Sequence, residues 1–491
     1  MSLAPSPPPE CPFHGGEAAP ARELFTPPTP KGPPGKASFL DMLKFGLHSG
    51  IGMFLGTSYE TQNVGRHPIP TLPRLERRML WMVRSPELIR RVLVSEAERF
   101  PKSMLMDDML RALTGYSIFI SNGEAWRRHR RLMDPAFETA RIKDVFPMMV
   151  QAADACIERL EAAAAGALGE ARTVRIDLEM THYAADIIFR TIFSEPLPSK
   201  DAKRFFGAFE VFQKIAYAHG MLRLAKVPTQ LSPGHWRAVW AARVIRDILR
   251  RPLTRRLKAE RAGKATPQTD ILATLLRTKD PEGGPGFDDA ELLDQIAMLF
   301  LAGHETSATA MAWSLYLLAH APDAQERAHA EAAAVYGDRA PEWRDMKRLA
   351  FNRDVFREAM RLYPPVAFLA RDAGCPMQLA NRKVDEGDAV MVSPWIQQRH
   401  RAHWDNPDAF DPERFSRLEN AEAVRSAYFP FSMGPRVCAG AAFALQEATL
   451  LLSLLVRRFR FLPEPGHTPD PVARLTLRSA NGIPLRVERR G

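Results

Sequence analysis

The spacing of apolar residues along the chain predicts a protein built mainly from helices. Apolar side chains recur at intervals of three and four through residues 85–96, 141–164, 201–224 and 236–260, which is the period of one face of an α-helix. Strand-like stretches are fewer and shorter, at 80–83, 389–392 and 474–487, and Ser479, Asn481 and Gly482 predict a hairpin turn in the last of these. We therefore expect a mainly α (α+β) fold.

The longest predicted helix starts beyond Asp288, which can cap the first turn and form a capping box with Glu291. It should run to about His320, a length of about 50 Å. Its middle, residues 296–302, is apolar on all sides, which indicates that the helix is buried all round.

Gly303, His304, Glu305 and Thr306 interrupt this apolar helix. A mid-helix glycine is about 1 kcal/mol less favourable than alanine, and buried ionisable groups need partners. One interpretation is close helix packing beside a satisfied polar pair. The other is a catalytic notch in which Gly303 lets the backbone approach a cofactor while Glu305 and Thr306 handle protons. The helix alone does not decide between them.

Proline content and the absence of long linkers predict the domain organisation. The first thirty-five residues hold 11 of the 41 prolines and no apolar signal segment, so we expect a disordered leader at 1–35. Beyond it, the Pro/Gly-rich stretch 281–286 is too short to separate domains, and residues 36–491 form a single predicted domain. Polar residues interrupt the apolar segment 39–55, which could at most lie on a membrane surface.

Composition narrows the function classes. Four scattered cysteines give neither a disulfide framework nor a zinc module and favour a reducing cytoplasm. The net charge of +10 would suit nucleic acid, an anionic membrane surface or an acidic protein. Because the basic residues are dispersed and no nucleic-acid-binding module is present, we expect no nucleic acid as a partner.

One cysteine stands in an unusual loop. Residues 431–440, FSMGPRVCAG, precede an apolar helix predicted at 441–458. The helix N-terminus and Arg436 would favour the thiolate form of Cys438. A lone cysteine is more often an inert buried thiol, so its meaning depends on the rest of the loop.

That loop resembles the haem-binding signature of the cytochrome P-450 family, and the resemblance implies the fold and activity of that family. It rests on Phe431, Gly434, Arg436, Cys438 and Gly440, and continues in Phe443, Ala444 and Glu447. It implies a cytochrome P-450 fold and a haem b between the long helix and the cysteine-loop helix, with the Cys438 thiolate as axial ligand of the iron. The implied activity is that of an oxidoreductase, a monooxygenase that hydroxylates or epoxidises a small lipophilic substrate.

Two further motifs take roles from the same resemblance. Residues 302–306, Ala-Gly-His-Glu-Thr, look like the oxygen-activating motif, so that Ala302 would lie against the cofactor while Glu305 and Thr306 deliver protons. Glu358, Arg361 and Arg414 match a buried ionic triad that supports the cysteine loop. Seen without the resemblance, Glu358 and Arg361 would be an ordinary surface pair.

The resemblance also implies residues that bind the cofactor and its propionates. Trp126 and Arg130 stand in a Trp-x-x-x-Arg helix of the kind that binds a haem propionate, and an arginine suits a carboxylate. Arg371, Arg436 and His129 are further candidates for the propionates. Phe431 and Gly440 are expected beside the cofactor.

Electrons must come from another protein, because the chain ends about fifty residues after Cys438. We expect a ferredoxin or flavodoxin with its NAD(P)H-dependent reductase, and a monomeric enzyme. The acidic carrier would dock on a basic surface. The residues predicted to form it are Arg127, Arg128, Arg131, Arg457 and Arg458.

The substrate is predicted only by class. Family analogy places segments 102–119, 205–224, 366–369 and 479–483 around the pocket. The candidate lining residues are Met104, Met106, Phe209, Val366 and Phe368, although apolar residues at helical spacing usually face a core. A fatty acid, a terpenoid or a polyketide-like compound would fit.

Three other functions stay open. A peroxygenase or isomerase of the same fold commonly departs from the acid–threonine pair that this chain has. A basic nucleic-acid-binding protein or a purely structural helical protein would contain no haem.

Overall fold

The computed structural model describes residues 24–30, 59–68, 78–164, 170–224, 229–232, 234–264 and 268–490, without the side chains of 68, 221–224 and 231. Segment 39–55 and most of the predicted leader lie outside these residues. Within the leader, however, residues 24–30 pack on the protein. Phe25 stacks on His320 with ring centroids 4.6 Å apart, and Tyr363 donates to the Pro28 carbonyl. These residues differ from the predicted disorder, because the Phe25 ring gains a packing partner and the prolines have little backbone entropy to lose on docking.

Helices make up most of the described chain. In order they are α1 Pro86–Arg90, α2 Met104–Thr114, α3 Gly123–Met133, α4 Thr139–Ala163, α5 Ile176–Phe193, α6 Ser199–Leu224, α7 His235–Arg261, α8 Ile271–Arg277, α9 Asp289–Ala319, α10 Pro322–Tyr336, α11 Ala350–Leu362, α12 Pro394–Gln397, α13 Ala421–Ala427 and α14 Ala441–Arg458. A π-helical turn, Arg91–Ser95, continues α1. The mainly α fold class is confirmed.

Eleven short strands form separate small sheets within the described residues. They are β1 Gly65–Pro68, β2 Met79–Val83, β3 Arg172–Arg175, β4 Leu369–Asp372, β5 Met377–Leu379, β6 Arg382–Val384, β7 Ala389–Val392, β8 Phe459–Pro463, β9 Pro471–Ala473, β10 Leu477–Ser479 and β11 Pro484–Arg489. The largest sheet has the order β1-β2-β7-β4, with β2 and β7 parallel. The others are β3-β11-β8, β10-β9 and β5-β6.

The predicted hairpin over 474–487 is wrong. Strands β10 and β11 form there, but β10 pairs with β9 while β11 lies between β3 and β8. Between them, Ala480 donates to the Asp470 carbonyl and the Ile483 amide to Asp177. Alternating side chains reveal a strand but not its partner, so the chain could change sheets at Gly482 without any sign in the pattern.

Helix α9 runs through the core. The predicted capping box forms, since Asp288 accepts hydrogen bonds from the amides of Ala290 and Glu291, and Glu291 accepts from the Asp288 amide at 3.0 Å. Most of the helix is buried, as its apolar middle predicts. Its central position places residues 301–306 inside the molecule.

Candidate active site

One short part of α9 faces an internal space. Leu301, Ala302, Gly303 and Thr306 are partly exposed, whereas the residues before 301 and after 306 are mostly buried. The Thr306 hydroxyl donates to the Ala302 carbonyl at 2.5 Å, a bond that keeps a threonine within a helix. The oxygen of this hydroxyl can still accept a hydrogen bond from a group in the space beside it.

Gly303 serves close helix packing. A Cβ at this position would lie 3.0 Å from the Cδ1 atom of Ile188 on α5, a distance that forces the neighbour to shift. Of the two interpretations of this glycine, the structure therefore favours packing between α9 and α5 over approach to a cofactor.

Glu305 is buried and held by the C-terminal strands. Its Oε1 atom accepts a hydrogen bond from Thr476 at 2.7 Å and lies 3.7 Å from the Arg478 guanidinium. Arg478 also donates to Gln213 of α6 at 2.7 Å. The sequence analysis missed Thr476, Arg478 and Gln213, because nothing in their local pattern indicates contact with a residue so far away in the chain.

The cysteine loop has a tightly constrained backbone. The Cys438 amide donates to the Phe431 carbonyl at 3.0 Å, and the Val437 amide donates to the Gly434 carbonyl at 3.0 Å. Gly434 has φ +71°, and a Cβ there would lie 2.1 Å from the Leu93 carbonyl oxygen. Only glycine fits where the loop crosses the π-helical turn.

The Cys438 side chain has accessible surface, although protein atoms surround it on nearly every side. Together these facts describe a thiol that faces an enclosed space. Burial raises the pKa of this thiol, while the Gly440 amide and the charges of Arg130 and Lys102 lower it. The expectation that Arg436 and the helix favour the thiolate therefore needs correction, because burial outweighs the nearby positive charges in the protein alone.

Arg436 packs against the ring of Trp126 and bonds to the loop before it. Its guanidinium donates to the Ser121 carbonyl at 2.8 Å and to Asn122 at 3.0 Å, and it lies 3.9 Å from the centroid of the Trp126 ring. Trp126 and Arg436, both predicted cofactor-binding residues, are thus in direct contact.

Three cations gather beside the cysteine loop. Lys102 and Arg371 form an isolated antiparallel bridge, and Arg371 is 5% exposed, with a hydrogen bond to the Ala370 carbonyl. Burial lowers the pKa of Arg371 to about 10 and, with repulsion from Arg371 and Arg130, that of Arg436 to about 9. Burial, followed by repulsion from Arg371 and Arg436, also places the pKa of Lys102 well below its ordinary value.

Within the described chain, Lys102, Arg371 and Arg436 lie within ion-pairing distance of no Asp or Glu. Desolvated cations of this kind call for an anion to complete the site. A haem with two propionates supplies such an anion next to an accessible thiol, so the residues present fit the cofactor that the resemblance implies. Lys102 was predicted only as part of a pocket segment, and its role beside Arg371 was missed.

Arg130 and His129 bond to groups other than the three cations. Arg130 donates to the Val437 carbonyl at 2.7 Å and pairs with Asp134 at 2.6 Å, so here it holds the cysteine loop by its backbone. His129 is buried, bonded to Ser121 Oγ at 3.1 Å and packed near the Phe287 ring. Ser121 thus contacts both His129, through its hydroxyl, and Arg436, through its carbonyl.

Glu358, Arg361 and Arg414 form a fully buried cluster. Glu358 lies 2.8 Å from Arg361 and 3.3 Å from Arg414, and none of the three is more than 2% exposed. Burial raises the pKa of Glu358, but the two guanidinium groups and the Asp411 amide outweigh it and leave this pKa below its ordinary value. Gln398 donates to the Arg361 carbonyl and accepts from the Phe429 amide, which links the cluster to the start of the cysteine loop.

The predicted pocket residues fall into different surroundings. Val366 and Phe368 are partly exposed in an otherwise buried loop, and the Leu477 amide donates to Pro365 beside them. Phe209 is buried, with its ring 5.0 Å from that of His304. Met104 is 56% exposed. Met106 is half-buried on α2.

The arginines of the predicted basic surface are all paired with acids. Arg127 lies 2.8 Å from Glu124, Arg128 2.6 Å from Glu291, Arg131 2.8 Å from Asp280, Arg457 4.0 Å from Asp338 and Arg458 2.6 Å from Glu161. The expected strongly basic surface is therefore largely neutralised, since charge in the sequence does not show where the acids lie.

Among the described helices, none has the length and apolar character needed to cross a bilayer.

Comparison with known proteins gives a consistent result. The family model described as Cytochrome P450 matches residues 30–484. The chain is 31% identical over 383 residues to cyclooctat-9-en-7-ol 5-monooxygenase of Streptomyces melanosporofaciens, covering 78% of this chain and 80% of that protein. It is 30% identical to 11-oxo-beta-amyrin 30-oxidase of Glycyrrhiza uralensis, covering 82% and 77%. It is 28% identical to pentalenene oxygenase of Streptomyces avermitilis, covering 82% and 87%.

Proposed function

Because the chain belongs to the cytochrome P450 family and is a haem-thiolate monooxygenase, we propose that the Cys438 thiolate would hold the haem iron and that Lys102, Arg371 and Arg436 would bind the haem propionates. The cluster of three desolvated cations carries this proposal. In support, Cys438 presents an accessible thiol beside them, and the Glu447 of α14 hydrogen-bonds to Ser307, next to Thr306.

The cofactor and the protein divide the chemistry. Haem, when bound, supplies the iron at which dioxygen is reduced so that one oxygen atom enters the substrate. Cys438 would hold it from one side, and Trp126 with the three cations would fix its orientation. Ala302, Phe431 and Gly440 would lie against it.

Thr306 and Glu305 are proposed to handle protons. The Thr306 hydroxyl lies at the open face of α9 and now donates its proton to the Ala302 carbonyl. Rotation of this hydroxyl would direct the proton to a group in the internal space. Glu305, held by Thr476 and Arg478, would return a proton to Thr306 through water. Arg478 and Thr476 act here as positioning residues.

We propose a terpenoid substrate. The names of all three relatives above denote oxidation of compounds of this class. The partly exposed apolar loop at Val366 and Phe368, beside β10, would present hydrocarbon surface to such a molecule. Binding assays with polycyclic terpene hydrocarbons and alcohols, read as a change in the haem spectrum, would test the class.

We further propose an external electron donor, a monomeric state and a cytoplasmic location. The family requires an external electron donor, and a ferredoxin or flavodoxin with its NAD(P)H-dependent reductase would serve. The enzyme would be a monomer. The described cysteines Cys156, Cys375 and Cys438 are all free thiols, which supports a reducing cytoplasm.

The spectrum of the reduced protein under carbon monoxide tests the ligand. Thiolate ligation gives a strongly red-shifted Soret band. Cys438→Ser should abolish this band, while Cys375→Ser, at another partly accessible thiol, should retain it. Retention of the band in Cys438→Ser would show that another residue is the ligand.

Haem affinity tests the cation cluster. Arg371→Leu should release haem to apomyoglobin about tenfold faster than wild type, because one propionate loses its partner. Arg371→Lys should release haem at nearly the wild-type rate, because it keeps the positive charge. Arg382→Leu, on exposed β6, should leave the rate of haem release unchanged. Equal release from Arg371→Leu and wild type would remove the role proposed for this cation.

A further inference from the structure

Two histidine rings adjoin where α6 meets the start of α7. His219 lies on α6, and His235 is the first residue of α7, sixteen positions later. Their ring centroids are 5.7 Å apart. His219 is 4% exposed and His235 is half-buried. Neither residue belongs to the haem site or the substrate pocket proposed above, so the pair has no role in that chemistry.

Close packing of the two helices holds these rings near each other. Ile215 lies one turn before His219 and therefore on the same face of α6. A Cβ at Gly234, the residue before His235, would lie 3.3 Å from the Cδ1 atom of Ile215. The start of α7 thus packs directly against the face of α6 that carries His219.

Each ring has a buried nitrogen atom without a hydrogen-bond partner among the described residues. These atoms are Nε2 of His219 and Nδ1 of His235. A buried polar atom that has no partner is costly, so two of them on adjoining rings indicate a ligand that both can bind. Burial and repulsion from His235 lower the pKa of His219. At neutral pH its ring is therefore uncharged and can donate a lone pair to a metal ion.

Another pair of adjoining histidines in the described chain is different. The ring centroids of His400 and His403 are 5.1 Å apart. Both ring nitrogens of His400 are bonded, however, one to the Thr61 carbonyl and the other to the Ala402 amide. Two adjoining histidines do not by themselves leave a free nitrogen on each ring, and this second pair provides a matched control.

We propose that His219 and His235 together bind a Zn²⁺ ion. Two imidazoles that share a zinc ion, with Zn–N distances of about 2.0–2.1 Å and a near-tetrahedral angle, have ring centroids about 5 to 6 Å apart. The observed separation lies in this range. Within the described residues, no group of three or more His, Cys, Asp or Glu could hold a metal, so water would complete the coordination of the ion.

The ion would join α6 to α7. Helix α6 carries Gln213, which bonds to Arg478, and α7 carries Arg246, which pairs with Asp294 of α9. An ion that binds only when the two helices are in contact stabilises that arrangement. Zinc would therefore restrain α6 and the residue that holds Arg478. This goes beyond the proposed function, which needs no zinc.

Zinc binding to the metal-free, tag-free holoenzyme tests the proposal. Isothermal titration calorimetry with Zn²⁺ near neutral pH should show one site per chain with a Kd of about 1 to 100 μM, because two ligands bind more weakly than the four of a structural site. His219→Gln and His235→Gln should each raise this Kd at least about tenfold, since one of the two ligands is lost. His403→Gln, in the control pair, should leave the Kd unchanged.

X-ray absorption at the zinc edge gives evidence from the wild type alone. With one equivalent of Zn²⁺, the spectrum should show two imidazole ligands at about 2.0 Å. Any other number of imidazoles would overturn the proposal, as would no binding in the micromolar range or an unchanged Kd in the double variant His219→Gln/His235→Gln. The carbon monoxide spectrum of every variant should match wild type, so that loss of zinc is not loss of fold. None of these outcomes bears on haem ligation by Cys438.

Discussion

Contacts with residues far away in the sequence hold the Glu305 side chain in place. Its carboxylate lies between Thr476 and Arg478, and Arg478 also bonds to Gln213 on α6. A movement of α6 would therefore change how firmly Arg478 is held beside Glu305. The acid and threonine of the motif could be identified from sequence, but these partners could not, since they depend on how distant segments pack.

Replacing Arg478 should disturb proton delivery more than binding. In Arg478→Met, Glu305 loses the cation that positions it, and we expect product formed per NADPH consumed to fall about threefold or more with a larger solvent isotope effect. Arg478→Lys should recover most of the coupling. Arg486→Met on β11 serves as the control, and unchanged coupling in Arg478→Met would exclude a positioning role.

Gly303→Ala tests the packing of α9 on α5. Alanine favours the helix by about 1 kcal/mol, but overpacking typically destabilises by about 1 to 3 kcal/mol, and the new Cβ would lie 3.0 Å from Ile188 Cδ1. We expect a lower free energy of unfolding in urea. Combination with Ile188→Ala removes both the Cδ1 and Cγ1 atoms, which would lie 3.0 and 3.1 Å from the new Cβ. Gly303→Ala should then be favourable relative to Ile188→Ala alone, and an unfavourable change would show that these two atoms are not the source of the clash.

At the scale of elements, the cysteine loop depends on two supports from other parts of the fold. The buried triad reaches it through Gln398, and the π-helical turn lies under Gly434. The long helices α4, α6, α7, α9 and α14 could be predicted to within a few residues because each has a strong apolar period. The π-helical turn and the partners of β10 and β11 could not, because they result from tertiary contacts.

Removing the shared acid of the triad should be strongly destabilising. Glu358→Gln leaves Arg361 and Arg414 buried without a negative charge, a change expected to lower the free energy of unfolding by about 3 to 5 kcal/mol. Urea unfolding would measure this. Asp354→Asn, which weakens the half-buried pair with Arg357 on the same helix, should have a much smaller effect. If the two variants lowered the free energy of unfolding by similar amounts, the burial of the triad would contribute little to stability.

Over the whole molecule, two buried groups outside the ion pairs should shape the dependence of stability on pH. Burial raises the pKa of Glu447 to about 8, against which a hydrogen bond from Ser307 acts only partly. Burial lowers the pKa of His304 to about 4, and neither of its ring nitrogens has a hydrogen-bond partner among the described residues. Both groups are therefore neutral in the folded protein near pH 6.

The sign of each effect follows from which state binds more protons. Folded Glu447 keeps a proton that the unfolded chain releases, so its stabilisation is complete below pH 4.5 and is lost as the pH rises toward 8. Between pH 6.5 and about 4, His304 is neutral in the folded protein but protonated in the unfolded chain. The free energy of unfolding therefore falls as the pH drops from 6.5 toward 4. Glu447→Gln should flatten the alkaline side of the stability profile, and His304→Phe, which suits the neighbouring Phe205 and Phe209 rings, should flatten the acid side.

Free energies of unfolding measured from pH 4 to 9 for both variants would check these expectations, since each profile should change on one side only. If Glu447→Gln kept the alkaline slope of wild type, another buried acid would have to account for it.

The hydrogen bond from Arg436 to the Ser121 carbonyl joins residues separated by 315 positions. At ribosomal rates of about 5 to 20 residues per second, roughly 15 to 60 s pass between synthesis of the two halves of the cation cluster. During that interval Lys102 and Trp126 are already outside or leaving the ribosome while the cysteine does not yet exist. The cofactor site can therefore be completed only near the end of translation, and the emerging N-terminal part must stay soluble until its C-terminal counterpart arrives.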